Sequence, residues 1–184
     1  METGNYAARP MRFWNRVVVS AALAAGIAVA GGTAGASSAP AAAPKGSCKL
    51  VTVSEAGKIL GTPVGGTKRI SNADADSCTW KAKKKGTGGL KARPLGLEIT
   101  VATGQVGVNA YQKEKTADPS ETQSVPGLGD DAYIRDLDLA VLSGDKAMVV
   151  ELHNYRYPKP LTQQQIQQKE EDAAKLALGR LSPT

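Results

Sequence analysis

The stretch SCTWKAKKKGTGGLKARPLGLEITVAT, residues 77–103, decides the fold. In its first part Cys78, Trp80 and Ala82 alternate with Thr79, Lys81 and Lys83, the period of a strand whose two faces meet different surroundings. In its last part Leu95, Leu97, Ile99 and Val101 alternate with Gly96, Glu98, Thr100 and Ala102. Gly86, Gly88 and Gly89 between them are turn residues. The spacing therefore predicts an antiparallel hairpin with its lysines at the solvated end, where they also oppose edge-to-edge association. The sharper alternative is a grip on an anionic envelope polymer or lipid headgroup by Lys81, Lys83, Lys84, Lys85, Lys91 and Arg93. Trp80 shares a face with Cys78 and is expected in the core, which removes the stacking platform that a single-stranded nucleic-acid site needs.

Upstream, Thr52 opens a helix with a capping box, TVSE, and places Val53, Ala56, Ile59 and Leu60 on one face. Gly61 and Pro63 end it. Val64 to Ile70 reads as a weak strand. Downstream, Val106 to Lys115 is expected to be a short helix with Val108 and Tyr111 inward. Three strands follow, Ala132–Asp136, Leu137–Leu142 and Lys146–Tyr155, the last two joined through the SGDK turn. Thr162 opens the final helix with a second capping box, TQQQ. Ile166, Ala173, Ala177 and Leu181 form its apolar stripe. The order is helix, three strands, helix, three strands, helix. That predicts an α+β fold: one antiparallel sheet of about six strands with helices packed on one face.

The front of the chain is of another kind. Arg9, Arg12 and Arg16 precede an apolar run from Val17 to Ala30, and Ala34 to Ala36 make an A-x-A cleavage site. Residues 1–36 read as a secretory signal, with an uncleaved membrane anchor as the alternative. Residues 37–45, built of Ser, Ala and Pro up to Lys45, read as a flexible spacer, and residues 46–184 as a single domain. The whole chain has 23 basic and 17 acidic residues. The leader holds three arginines and one glutamate, so a net charge of +4 remains, too modest for a nucleic-acid domain. Cys48 and Cys78 are the two cysteines, both in the exported part. They read as a disulfide, because two thiols alone make no zinc site and no C-x-x-C pair is present.

Candidate chemistry is sparse. Gly127–Ala132, GLGDDA, fits a dinucleotide fingerprint but lacks the strand before it and the helix after it, so it reads as a tight glycine turn into a strand. His153, the one histidine, is expected mid-strand, at the surface or partly buried. Asp74-Ala-Asp76 and Asp136-Leu-Asp138 lack the rest of a calcium loop and read as outward strand and turn positions. No catalytic residue, cofactor, metal or nucleotide is expected.

The order of SCKLVTVSEAGKILGTPV, CTW, VPGLGDDAYI, an SGDK turn and a terminal AAKLALGRL helix resembles an actinobacterial family of exported proteins and lipoproteins, domain of unknown function 3558. The resemblance implies an envelope location and the same Cys48–Cys78 bridge. It brings no activity, and no lipobox cysteine stands behind the apolar run. The expected function is a secreted, non-enzymatic binding domain of the cell envelope. Its partner would be an envelope polymer, a protein segment or a small apolar ligand, with no nucleic acid and with membrane contact only through an uncleaved leader. The alternative is a secreted enzyme inhibitor, through Thr116 to Gly127, or a small hydrolase.

Overall fold

The computed structural model describes residues 46–83, 94–153 and 161–181. The leader, the spacer and the hairpin tip with Lys84, Lys85, Lys91 and Arg93 lie outside the described residues. Seven strands form one antiparallel sheet: β1 Val64–Ser71, β2 Ala75–Ala82, β3 Gly96–Thr103, β4 Gln123–Ser124, β5 Asp131–Arg135, β6 Asp138–Ser143 and β7 Lys146–His153. Their spatial order is β1-β2-β3-β7-β6-β5-β4. The described helices are α1 Ser47–Leu50, α2 Val53–Leu60, α3 Gly104–Ala117 and α4 Gln163–Leu178. The α+β class and the single antiparallel sheet are as the sequence predicts. The extra strand, β4, is two residues long and pairs with Ile134 and Tyr133 of β5.

The hairpin at 77–103 forms as expected, with Cys78 opposite Ile99 and Trp80 opposite Leu97. Trp80, Leu97, Ile99, Leu139, Met148 and Val150 turn one face of the sheet into the main core, closed by α1, α2 and α4 through Leu60, Ile166, Ala173 and Ala177. Both capping boxes are made, Thr52 with Glu55 and Thr162 with Gln165. Gly61 takes the left-handed conformation, φ +71°, that stops α2. Glu55 also receives Arg180 in two hydrogen bonds of 2.7 and 2.6 Å, which fastens the end of α4 to the start of α2. The Cys48–Cys78 disulfide ties α1 to β2.

Three expectations change. Val53 is 55% exposed; it opens the first turn of α2 and lies outside the face that Ala56, Ile59 and Leu60 bury. Asp76 is fully buried, not outward. Its Oδ2 accepts the amides of Gly46 and Ser47 at 2.9 and 2.7 Å, and Oδ1 accepts Arg69 at 2.7 Å. The helix predicted from Val106 does form, as α3, but on the sheet face opposite the other helices. There Tyr111 stacks on Tyr133 with ring centroids 5.1 Å apart, while Ala132 and Ile134, the neighbours of Tyr133 on β5, point into the main core. Gly107 permits this approach: a side chain there would meet the backbone of Ala102 at 2.9 Å.

The GLGDDA stretch is the expected turn. Gly127 and Gly129 have φ of +81° and +58°, and Asp130 caps the next hairpin by accepting the Gly144 amide at 2.6 Å. Among the described residues no helix is long and apolar enough to cross a membrane.

Candidate functional site

The sheet face opposite the main core changes character along its strands. Under α3 it carries Ala102, Tyr133, Ala140, Ala147 and Val149, all buried. One step toward the open ends of β3 and β7 it becomes ionisable. Register makes this a row: Lys68 stands opposite Thr79, Thr79 opposite Glu98, and Glu98 opposite Glu151. On the far side of β7, Asp138 opposes Arg135 of β5 and shares a hydrogen bond with Glu151. His153 follows in the next row, opposite Gly96. Strand alternation puts these side chains on one face, and the sheet order β3-β7-β6 brings them together.

Glu98 is the fixed point. Ser77 donates its hydroxyl to Oε1 at 2.7 Å, Thr79 donates to Oε2 at 3.1 Å, and His153 Nε2 lies 3.0 Å from Oε2. Burial alone would raise the Glu98 pKa; the imidazole and the two hydroxyls outweigh it and hold the carboxyl down at about 2. The same contact raises His153 above its ordinary value against the opposing effect of burial. Glu151 and Asp138 go the other way. Burial, then repulsion by neighbouring carboxylates, raises both, Asp138 to about 8, so Asp138 holds a proton where Glu98 does not.

A further carboxyl, on α4, approaches β7 from the main-core side of the sheet. Glu170 is fully buried, its Oε1 accepts the Leu152 amide at 3.1 Å, and its Oε2 has no hydrogen-bond partner among the described residues. Leu152 lies beyond Val150, the last residue through which β7 pairs with β6, so the side chain serves a backbone group that the sheet leaves over. Burial raises Glu170 to about 10, helped by the nearby Asp138 and Glu151.

Of the expected basic residues, Lys81 stands beside this cluster, and Lys84, Lys85, Lys91 and Arg93 lie outside the described residues. Lys81 is exposed and sits opposite Gly96, close enough to lower the His153 pKa by its charge. Lys83 is exposed at the end of β2. Asp138, expected to point outward, is instead drawn into the acidic row. Its position follows a hairpin turn in which Asp136 and Leu137 both have positive φ, +53° and +73°, the geometry of a two-residue connection between twisted strands. Asp131 is engaged elsewhere, by Lys115 at 2.6 Å.

Sequence reasoning missed Glu98, Glu151, Asp138 and Glu170 as a group. One signal was present: Glu170 falls on the Ile166–Ala173–Ala177 stripe of α4, where a carboxylate has no place in an ordinary apolar face. No family model matches the chain, and no curated protein matches it either.

Proposed function

We propose that this chain is an exported, disulfide-bonded binding domain of the cell envelope, of the kind that its motif order resembles. It works through the end of the sheet where the β2–β3 hairpin and the His153 end of β7 meet. The observation that carries the reading is the change in the face opposite the main core. Where α3 covers it, the face is apolar; beyond, it presents Lys68, Thr79, Lys81, Glu98 and His153 on a rigid strand scaffold. Exposed Lys81 and Lys83 precede residues 84–93, whose sequence adds Lys84, Lys85, Lys91 and Arg93, a run of positive charge suited to a polyanion.

The enzyme and inhibitor readings have less support. The hydroxyls of Ser77 and Thr79 donate to Glu98, not to His153, so neither is poised as a nucleophile with the imidazole as its base. The segment after α3 is tied down: Asp118 caps a short turn at Pro119–Glu121, and Gln123 and Ser124 pair with β5.

The test is co-sedimentation of the purified protein with isolated cell envelope across a salt series, beside a variant with Lys83, Lys84 and Lys85 changed to Ala. Binding that weakens with salt and with the substitutions is expected. Binding absent, or indifferent to both, overturns the polyanion reading.

A further inference from the structure

We infer that Glu98, Glu151 and His153, backed by Asp138, form a binding site for a divalent transition-series cation, with zinc the ion that suits the donors best.

Geometry is the first support. One ligand atom from each of Glu98, Glu151 and His153 lies within 4.8 Å of the other two. The imidazole Nε2 and the Glu98 oxygen are already 3.0 Å apart. Two ligands each bonded to one ion at about 2.1 Å stand about 3.0 to 3.4 Å apart in octahedral to tetrahedral geometry. An ion can therefore take the place of the proton between them with little movement of either side chain.

The scaffold is the second. Glu98 and Glu151 are direct partners on adjacent strands, and His153 follows Glu151 by two residues on the same face. Their spacing is set by the ladder, which is more exact than a loop could be. Ser77 and Thr79 orient Glu98 from behind, the role that outer hydrogen bonds play around ligating carboxylates.

Lys81 opposes a cation there only weakly, being exposed and screened by solvent. The donor set, one imidazole nitrogen with carboxylate oxygens, favours zinc or a neighbouring transition ion over magnesium or calcium.

The inference does not depend on envelope binding, and its test contains no envelope. The chain, purified without a histidine tag and stripped with chelator, is titrated with Zn²⁺ by calorimetry and by ring ¹⁵N signals of His153, the chain's one histidine. One equivalent should bind and move the ring signals, and excess Mg²⁺ should not compete. His153→Ala and Glu151→Gln should each weaken binding tenfold or more, while Glu171→Gln, outside the cluster, should not change it. No binding, or ring signals that stay in place, overturns the site, and this readout on the unmodified protein holds even if a variant fails to fold. Loss on His153→Ala with none on Glu151→Gln also overturns it, by reducing the contact to a lone histidine.

Discussion

Glu98 and Glu151 face each other directly across β3 and β7, yet the pKa of one carboxyl is lowered and that of the other raised. Like charges in that position would repel. The protein eases this by giving Glu98 three hydrogen-bond partners, while Glu151, raised by burial, hydrogen-bonds with Asp138. His153 completes the balance, since its pKa is raised by the contact with Glu98. The imidazole should therefore titrate above 6.5 in the metal-free protein. Stability from the pair is complete below that value and is lost as pH rises through the folded pKa. Glu98→Gln should bring the ring pKa down, because burial alone lowers it. Ring NMR titration reads this, and an unchanged pKa in the variant would mean that Glu98 is not the cause.

Glu170 has the reverse effect on stability. Its carboxyl is held protonated in the folded protein up to about pH 10, whereas in the unfolded chain it ionises near its ordinary value of 4.5. A raised acid pKa removes stability progressively as pH climbs between those limits. Glu170→Gln keeps an oxygen for the Leu152 amide and no longer titrates. It should raise stability at neutral pH by about 1 to 3 kcal/mol and flatten the loss toward alkaline pH. Urea unfolding at pH 5, 7 and 9 measures both, and a variant less stable than the parent at pH 9 would refute the assignment.

Six of the seven strands and two capped helix starts were legible because each rests on local signals. Alternation around Trp80 and Ile99 marks the hairpin, the Thr52 and Thr162 boxes mark two helix starts, and Gly127 and Gly129 mark a turn. The side of the sheet taken by α3 was not legible. Tyr111 and Ala110 give it an apolar edge, but nothing local says which face that edge will meet. The acidic row was hidden for a related reason. Glu98 and Glu151 look like solvent-facing positions of two unrelated strands until the order β3-β7-β6 makes them neighbours. Thr100, Ala102, Ala147 and Val149, their companions on that face, already hinted that it is not simply wet.

Asp76 joins three parts of the chain and should be costly to lose. Burial by itself would raise its pKa, but Arg69 and the amides of Ser47 and Gly46 outweigh that and hold it at about 2. The stability it gives is present above its ordinary value of 3.8 and fades as pH falls toward 2. Asp76→Asn should destabilise by about 1 to 3 kcal/mol at neutral pH and reduce the acid dependence. Denaturant midpoints at pH 7 and pH 3 give the comparison; an equal loss at both would show that charge is not what matters.

The Cys48–Cys78 bridge closes a loop between residues 30 apart. Chain entropy values such a closure at about 3 to 4 kcal/mol. Reduction, or the double change of both cysteines to Ser, should lower stability by about that amount. The sheet should remain, because Trp80, Leu97 and Ile99 still fill the core without it. Far-ultraviolet dichroism under mild reduction tests the second half of the statement, and loss of the sheet signal would make the bridge a condition of folding.

Gly129 offers the strictest steric test. Its φ is +58°, and a side chain there would begin 2.3 Å from the Leu142 carbonyl oxygen and 2.9 Å from Val141 Cγ1. The same carbonyl accepts the Asp130 amide at 2.8 Å, so it cannot retreat without breaking the contact that seats β5 beside β6. Alanine therefore meets both an unfavourable backbone conformation and a backbone clash. Gly129→Ala should cost at least about 2 kcal/mol, whereas Gly127→Ala, with φ +81° and open space around it, should cost about 1 kcal/mol from conformation alone. Thermal unfolding of the two variants side by side separates the clash from the conformational cost; equal losses would mean that the turn relaxes away from Leu142.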